Sequence, residues 1–469
     1  MQPGSKSKFQ VFRAHTREKR FILLIGDLLM AFLALGLALF IWSQIDDWSL
    51  TFWRERVAGW YYLLPFFWMF LLTSLYDPHR VNNWRVTVRG ILGAAIMGGV
   101  IYAIIYLLMK GTQARIGVGF FLAFAASLTL LWRLIYIRIF TLNVLLRRVL
   151  ILGAGKSGET LVEAYRSLNP QPFQLVGFID DDPNKVGNQV AGYPVLAGSD
   201  RLPELLKQEA VSDLAIAIGG AMQGRTFQAV LDAQENGVEI IPMPLLYEEL
   251  LGRVPIRHLE SEWLIRSFIT EARPPAFYGV INRLMDIVFS LIGLLILVVL
   301  LPFIALVIYL DTGGPILYSQ VRTGKGGRPY AVWKFRSMVQ DAERDGVHIT
   351  VEEDARITRV GKLIRRIHLD ETPQFWNVLR GQMSVIGPRA ERPELIALFE
   401  KQIPFYRARL MVRPGITGWA QINYMYPVTV EEVAIKLEYD LYYIKHRSLL
   451  LDFSIFIRTI WHSLGFKGR

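Results

Sequence analysis

The sequence contains no cysteine among its 469 residues. Disulfide bonds and thiolate metal sites are therefore excluded, and the absence fits a reducing compartment. The sequence also lacks any helix-turn-helix, zinc-finger or RNP pattern, so we expect no nucleic-acid partner although the net charge is +11. A positive excess without such a pattern favours an anionic membrane surface or phosphorylated ligands.

Charged residues make up only 20% of the chain and the mean hydropathy is +0.30, which indicates long apolar segments. Four such segments come first, at residues 21–42, 58–76, 90–109 and 117–136. Each is near the ~20 residues that cross ~30 Å of hydrocarbon as a helix. No small-residue cleavage site follows the first segment, so it is expected to remain as an anchor.

Basic residues precede the first apolar segment and follow the fourth, which predicts cytoplasmic ends by the positive-inside rule. We therefore predict that residues 1–146 form a four-helix transmembrane bundle. One carboxylate, Asp27, lies within the first segment. We expect it to be bonded inside the bundle; the alternative is a polar functional site between the helices.

Residues 147–265 have the pattern of a Rossmann-like α/β domain. A buried strand leads into a Gly-x-Gly-x-x-Gly turn, and a second strand ends in an acidic residue at the expected distance. A bound nucleotide is one interpretation; the other is that the glycines serve only the tight turn and the packing of the helix. The candidate cofactor-binding residues are Gly153, Gly155, Gly158 and Asp180.

A fifth apolar run, residues 284–310, is interrupted by Pro302. Proline removes a helical hydrogen bond, so a kink or break is expected there. Length alone permits a crossing, but a crossing would separate the segment that follows from the cytoplasm. We therefore predict a re-entrant membrane helix that enters and leaves by the same face, within a C-terminal α/β catalytic domain at residues 276–469.

An adjacent pair of acids, Asp370 and Glu371, lies among cations and Gly-Pro turns. Mg²⁺ commonly takes one or two carboxylates together with phosphate oxygens, which relieves their mutual repulsion. Since neighbouring helical residues point about 100° apart, the two acids are expected to have different roles. The candidate phosphate-binding cations are Arg322, Lys334, Arg336, Arg365, Arg366 and Arg389. Four polar residues either orient sugar or uracil or only satisfy turns: Gln374, Asn377, Thr417 and Gln421.

Four ordered motifs resemble those of the bacterial sugar transferase family, the monotopic phosphoglycosyl transferases. They are residues 314–324, 334–338, 369–374 and 387–389. With the four apolar segments and the α/β region in front, the chain resembles the large members, the polyprenyl-phosphate hexose-1-phosphate transferases. One departure is Ala390, which stands where the family often has a proline.

The resemblance implies that Asp370 is a nucleophile that forms a covalent phosphosugar intermediate and that Glu371 ligates Mg²⁺. It implies transfer of hexose-1-phosphate from a UDP-sugar, most simply glucose or galactose, to undecaprenyl phosphate with release of UMP. This would be the first membrane step of exopolysaccharide, capsule or O-antigen assembly. The implied location is the bacterial inner membrane, with the catalytic domain on the cytoplasmic face; a homodimer is left open.

Two other classes compete. A membrane-bound NAD-dependent nucleotide-sugar epimerase or dehydratase would need a Tyr-x-x-x-Lys pattern on a helix. Residues 330–334 match the pattern, but in a segment that is predicted to be a strand. A nucleotide-gated channel or sensor is disfavoured because the chain has no Thr-Val-Gly-Tyr-Gly filter.

Overall fold

The computed structural model describes residues 16–45, 57, 59–76, 81, 83–108, 115–140, 146–220, 222–258, 267–268, 277–339, 354, 356–366, 368–424 and 427–463. The chain divides into two compact units, Met1–Leu251 and Gly252–Arg469. The division falls before residue 265, where the α/β domain is predicted to end. Val254, Ile256 and Phe268 belong to the hydrophobic core of the second unit.

The first unit begins with α1 (Thr16–Ile45), α2 (Leu64–Leu71), α3 (Trp84–Leu108) and α4 (Arg115–Phe140). Of these, α1, α3 and α4 are long and apolar enough to cross a membrane. The second predicted crossing, residues 58–76, is instead three short pieces, since 3₁₀ turns at Gly59–Leu63 and Thr73–Tyr76 flank α2. Pro65 lies in the first turn of α2 and has no N–H to continue the preceding turn, which accounts for the break.

Asp27 is bonded inside the helical bundle, as predicted. Its carboxylate accepts hydrogen bonds from the guanidinium of Arg133 at 2.7 Å and from the hydroxyl of Tyr76 at 2.7 Å. The side chains of Asp27 and Arg133 are 0% and 2% exposed. Arg133 is therefore a buried partner of α1 and not one of the surface cations that flank the fourth segment.

The α/β domain of the first unit follows, and its predicted sheet is present. Its strands are β1 (Arg148–Leu152), β2 (Gln174–Ile179), β3 (Gln189–Val190), β4 (Tyr193–Ala197), β5 (Asp213–Ile216) and β6 (Glu239–Pro242). The strand order is β3-β4-β2-β1-β5-β6, and every pair is parallel except β3 with β4. The helices are α5 (Lys156–Arg166), α6 (Leu202–Gln208), α7 (Gly224–Glu235) and α8 (Met243–Leu251).

The order in which the chain adds strands to the sheet reverses between β1 and β5, although these two strands are parallel. Parallel sheets are covered on both faces, so their strands are apolar throughout. Val149, Leu150, Ile151 and Leu152 in β1 are each no more than 1% exposed, in agreement with the predicted buried strand. Ligands of open parallel sheets bind where the strand order reverses, at the carboxyl ends of the strands.

The second unit combines one long apolar helix with short strands and helices. Its elements are α9 (Tyr278–Thr312), β7 (Leu317–Thr323), β8 (Pro329–Phe335), α10 (Arg359–Arg366), α11 (Phe375–Leu379), β9 (Ser384–Ile386), α12 (Pro393–Phe399), β10 (Gly415–Thr417), α13 (Trp419–Asn423), α14 (Val430–His446) and α15 (Leu449–Ser463). β7 and β8 form an antiparallel hairpin, whereas β9 and β10 pair in parallel. α14 begins with a capping box between Thr429 and Glu432.

α9 is one continuous helix of 35 residues with Pro302 inside it. The helix is therefore not broken at Pro302, and the alternative of a kink there stays a prediction. At 1.5 Å per residue the helix is about 52 Å long. Most of its surface is exposed and apolar; Leu295 and Leu310 are 69% and 75% exposed. An exposed apolar surface on a helix of this length indicates contact with lipid.

Candidate active site

Asp370 and Glu371 lie on a 3₁₀ turn, Leu369–Gln374, that leads directly into α11. His368 precedes the turn with a positive φ of 56°, a left-handed conformation that ends the preceding helical path. The turn packs against β8 and α9, so both carboxylates are nearly buried at 7% and 6% exposed. Two buried acids side by side require either compensating cations or protonation.

Glu371 has the compensating cations. Its Oε1 accepts hydrogen bonds from Lys334 Nζ at 2.8 Å and from Arg389 Nη2 at 2.5 Å, while Oε2 accepts one from Arg389 Nη1 at 3.2 Å. Burial alone would raise the pKa of Glu371, but Arg389 and Lys334 together outweigh it and hold the pKa well below its ordinary value. Glu371 is thus a fixed anion between two cations.

Asp370, unlike Glu371, has no cation bonded to its carboxylate among the described residues. Its carboxylate accepts no hydrogen bond from any residue that the structure describes. Burial raises its pKa, and the adjacent negative charge of Glu371 raises it further, against the opposing effect of Lys334, Arg365 and Arg389. An ionised carboxylate with unused lone pairs and a raised pKa is suited to attack an electrophile.

A small cleft beside this pair collects several of the predicted cations. Its lining includes Arg322, Lys334, Gln374 and Arg389. Arg322 donates to the carbonyl of Ala390 at 3.2 Å. These three cations supply the positive charge and the hydrogen-bond donors that a diphosphate needs.

The other predicted cations lie at the margin. Arg336 donates to the carbonyl of Gly314 at 2.8 Å. Arg366 is exposed on α10, and Arg365 is half-buried. The charge of Arg365 helps to lower the pKa of Asp370, against the larger effects of burial and of Glu371. Direct phosphate contact by Arg336, Arg365 and Arg366 stays a prediction.

Three of the predicted orienting residues have internal partners instead. Asn377 is 1% exposed, and its amide group is used by Trp333, Ala331 and Gln382, so it ties β8 to α11. Thr417 shares a hydrogen bond with Thr459 of α15, and Gln421 donates to the carbonyl of Ile416. These contacts favour the alternative that Asn377, Thr417 and Gln421 satisfy local structure, and Gln374 is the one of the four that lines the cleft.

Glu391, a half-buried acid close to this cluster, was not predicted from the sequence. It accepts a hydrogen bond from Lys436 at 2.7 Å and lies 3.6 Å from Arg409, which in turn donates to the backbone carbonyl of Arg389 at 3.0 Å. Burial would raise the pKa of Glu391, but Lys436 and Arg409 lower it to about 2. The spacing of Glu391, two residues after Arg389, could have suggested a shared cationic network.

Mg²⁺ fits this site only with ligands from outside the protein. Among the described residues there is no group of three or more His, Asp or Glu side chains that could hold a metal. The oxygens of Glu371 face Lys334 and Arg389, whereas those of Asp370 are free of such partners. Carboxylate oxygens are the donors that Mg²⁺ prefers, and it usually keeps waters and takes substrate phosphate oxygens as well.

The glycine turn of the α/β domain shows which glycines its packing requires. A Cβ at Gly153 would meet the backbone of Ala217 at 2.9 Å, and one at Gly158 would meet the carbonyl oxygen of Gly153 at 2.4 Å. A Cβ at Gly155 would meet nothing within 4 Å. Asp180 accepts a hydrogen bond from the backbone N–H of Ala154 at 2.7 Å. Packing thus accounts for Gly153 and Gly158, and Gly155 faces open space.

Two family descriptions match the chain. The bacterial sugar transferase description matches residues 277–465, and that of a CoA-binding domain matches residues 71–244. An undecaprenyl-phosphate glucose phosphotransferase of Komagataeibacter xylinus is 30% identical over 86% of this chain and 75% of its own. A UDP-glucose:undecaprenyl-phosphate glucose-1-phosphate transferase of Xanthomonas campestris pv. campestris is 34% identical over 70% of this chain and 68% of its own.

The chain belongs to the bacterial sugar transferase family. A UDP-N-acetylgalactosamine-undecaprenyl-phosphate N-acetylgalactosaminephosphotransferase of Aeromonas hydrophila is 44% identical over 47% of this chain, and the match spans about half, 52%, of that relative's length. Among solved structures, UDP-D-quinovosamine 4-dehydrogenase from Vibrio fischeri aligns with 24% of this chain and 91% of its own at 27% identity and a TM-score of 0.20.

In this sugar transferase the Tyr-x-x-x-Lys pattern of the competing epimerase or dehydratase class does not lie on a helix. Tyr330 and Lys334 lie on β8 and not on a helix. Lys334 is paired with Glu371, and the Tyr330 side chain is 9% exposed within the domain core. A helical Tyr-x-x-x-Lys site is therefore excluded at these residues.

Proposed function

We propose that the protein transfers a sugar phosphate from a UDP-sugar to undecaprenyl phosphate in the cytoplasmic membrane, with release of UMP. The observation that carries the proposal is the opposite condition of the two adjacent carboxylates: Glu371 is neutralised by Lys334 and Arg389, while Asp370 is free and has a raised pKa. The relatives' names supply the acceptor, since each names undecaprenyl phosphate.

The first chemical step is displacement at the sugar-linked phosphorus. An oxygen of Asp370 attacks this atom, and the bond from phosphorus to the bridging diphosphate oxygen breaks. The electron pair leaves with that oxygen on UMP, and the sugar phosphate remains as an acyl phosphate on Asp370. Lys334, Arg322 and Arg389 line the cleft where negative charge must be stabilised.

The second step regenerates the carboxylate. A phosphate oxygen of undecaprenyl phosphate attacks the same phosphorus, the acyl phosphate bond breaks, and its electron pair returns to Asp370. The product is undecaprenyl-diphosphate-sugar. Glu371, together with substrate oxygens, would hold Mg²⁺ once Lys334 and Arg389 turn from its carboxylate to the substrate phosphates, and the metal would neutralise part of the diphosphate charge when bound.

The contacts of α9 favour a topology in which both of its ends lie on one side of the membrane. Near its start, Asp286 bonds to β9; near its end, Asp311 accepts a hydrogen bond from the N–H of Val360 in α10 at 3.2 Å. A soluble domain that contacts both ends cannot lie on both sides of a bilayer. We therefore keep the re-entrant arrangement as the proposal; it requires α9 to bend back at Pro302 within its continuous helical run.

UMP release tests the chemical proposal. The purified protein is incubated with undecaprenyl phosphate, Mg²⁺ and one of UDP-glucose, UDP-galactose or UDP-N-acetylgalactosamine, because the relatives differ in the sugar they name. We expect sustained UMP release with at least one donor when the lipid is present, and at most about one UMP per protein molecule without it, because the first step alone forms the covalent intermediate. Sustained release without the lipid, or NAD reduction with any of these donors, would contradict the proposal.

Single cysteines test the topology, since the native chain has none. Phe277→Cys lies just before α9 and Lys325→Cys lies in the turn between β7 and β8 that follows it, both at exposed positions. An impermeant maleimide added to spheroplasts should label neither, and both should be labelled after permeabilisation. Labelling of only the Lys325→Cys protein from outside would show that α9 crosses.

A further inference from the structure

Residues 378–385 connect the two halves of the active site. They follow the turn that carries Asp370 and Glu371, and they precede the Gly-Pro turn that carries Arg389. The ion pair between Glu371 and Arg389 closes the two halves over this connection. Its length and direction therefore set where the guanidinium lies relative to the nucleophile.

One turn of the membrane helix α9 holds this connection at both ends. Arg283 donates to the carbonyls of Val378 and Leu379, each at 2.7 Å. These carbonyls belong to the last residues of α11, where the Val378 oxygen also accepts the N–H of Gly381 at 2.9 Å. Arg283 thereby fixes the end of the segment that carries the acidic pair.

Three residues later, Asp286 holds the other end. Its Oδ1 accepts hydrogen bonds from Ser384 Oγ at 2.9 Å and from the backbone N–H of Val385 at 2.8 Å. The side chain is 2% exposed within the protein, although it belongs to an apolar membrane helix. Charged groups are rare and costly in such helices, so its bonds to β9 need an explanation in function or folding.

We infer that Arg283 and Asp286 are positioning residues, which use the membrane helix to set the placement of Arg389 against Glu371 and Asp370. The expected effect on rate rests on the proposed function. The hydrogen bonds from Arg283 and to Asp286 that hold residues 378–385, which we call the clamp, are seen in the structure itself. Neither residue touches the cleft. They act through the backbone of residues 378–385, so that the anchoring helix and the reaction centre form one rigid unit.

The size of the effect follows from the sensitivity of transfer to geometry. A displacement of about 1 Å at a reacting group costs up to ~100-fold in rate. We expect Asp286→Ala to lower kcat about tenfold or more with a change of KM below about threefold. Asp286→Asn, which keeps an oxygen at Oδ1, should recover most of the rate. Arg283→Lys should lie between wild type and Arg283→Ala because lysine cannot grip two carbonyls as a fork.

Ser290→Ala is the matched control. Ser290 lies on the same face of α9, one turn after Asp286, and is 0% exposed. Its hydroxyl has no hydrogen-bond partner in the structure. Loss of this buried hydroxyl should leave the kinetics unchanged and thus separates the clamp from a general effect of altering the helix.

A double-mutant cycle distinguishes positioning from a purely structural role. If Asp286 acts through Arg389, then Asp286→Ala should cost about tenfold in the native background but less than about twofold in an Arg389→Lys background. Equal costs in both backgrounds would overturn the inference, because a global loss of stability would act independently of Arg389.

Hydrogen exchange provides a readout that does not depend on activity. In the full-length protein in detergent, Asp286→Ala should speed exchange of the amides in residues 384–389, while Ser290→Ala should not. Unchanged exchange in Asp286→Ala would overturn the clamp whatever the kinetics show. Accelerated exchange in a protein that releases no UMP with any donor would instead overturn the proposed function and leave the clamp standing.

Discussion

The α/β domain and the catalytic domain each contain adjacent carboxylates beside a glycine turn, and they use them differently. In the α/β domain, Asp180 accepts hydrogen bonds from the N–H groups of Ala154 and Asp182 and from Lys185. Asp181 accepts them from Ser199 N–H and Thr226 Oγ1. Both acids are therefore fully engaged within the domain.

The electrostatic consequence differs between the two regions. Burial would raise the pKa of Asp180 and of Asp181, but backbone N–H groups and neighbouring side chains outweigh it and lower both. In the catalytic domain the pKa values of the adjacent acids shift in opposite directions: that of Asp370 is raised and that of Glu371 is lowered. The donors of the α/β domain stabilise both of its acids as anions, whereas the opposite shifts of Asp370 and Glu371 are what two different chemical roles require.

Replacement of the nucleophile should have the largest effect. Asp370→Asn removes the attacking charge, so turnover should fall by at least about a thousandfold. Because burial makes the ionised form of Asp370 unfavourable, the neutral variant should be no less stable than wild type. UMP release and thermal denaturation measure the two effects. A marked drop in stability would place Asp370 with Asp180 as a structural acid.

Glu371→Gln should reduce both activity and stability. The change leaves Lys334 and Arg389 without their shared anion, so we expect turnover to fall about a hundredfold and the free energy of unfolding to fall by about 2 kcal/mol. The estimate is below that for a fully buried pair because the Arg389 side chain is 39% exposed. Unchanged stability would contradict the assignment of Glu371 as an anchoring anion.

The pH profile should report the raised pKa of Asp370. Activity requires the carboxylate, so it should be lost as pH falls through that raised pKa, at a higher pH than the ordinary value of about 3.9. Lys334 opposes the shift, so Lys334→Met should move the acidic limb of kcat/KM further up in pH. Lys362→Met, an exposed cation on α10, serves as the control. An unmoved limb would show that another group controls it.

The sequence predicted the features that depend on local pattern. Apolar length identified α1, α3, α4 and α9, and ordered motifs identified Asp370, Glu371, Lys334 and Arg389. Pro65 could have indicated the broken second segment, because proline ends the preceding helical turn. The glycine pattern alone could not show that Gly158 is required by packing while Gly155 faces open space.

Features that depend on distant partners could not be predicted. Asn377 bonds to Trp333 and Ala331, which lie 44 and 46 residues away, so its structural role appears only when β8 and α11 are packed. Asp286 bonds to Ser384, which is 98 residues away. Within an apolar run, the sequence offered no signal for such a partner.

The smallest effects should come from a matched pair of glycines in the α/β domain. Gly158→Ala places a Cβ within 2.4 Å of the Gly153 carbonyl oxygen and 2.9 Å of the Phe178 ring. A backbone atom cannot move aside cheaply, so this domain should lose about 1 to 3 kcal/mol of stability. Gly155→Ala meets nothing within 4 Å and should change stability by less than about 0.5 kcal/mol. Thermal denaturation and UMP release of the full-length variants should show a lower midpoint for Gly158→Ala alone, with catalytic rate per folded molecule unchanged in both. A loss of rate in folded Gly155→Ala would mean that the glycine turn takes part in turnover, and the division between a structural and a chemical acid site would fail.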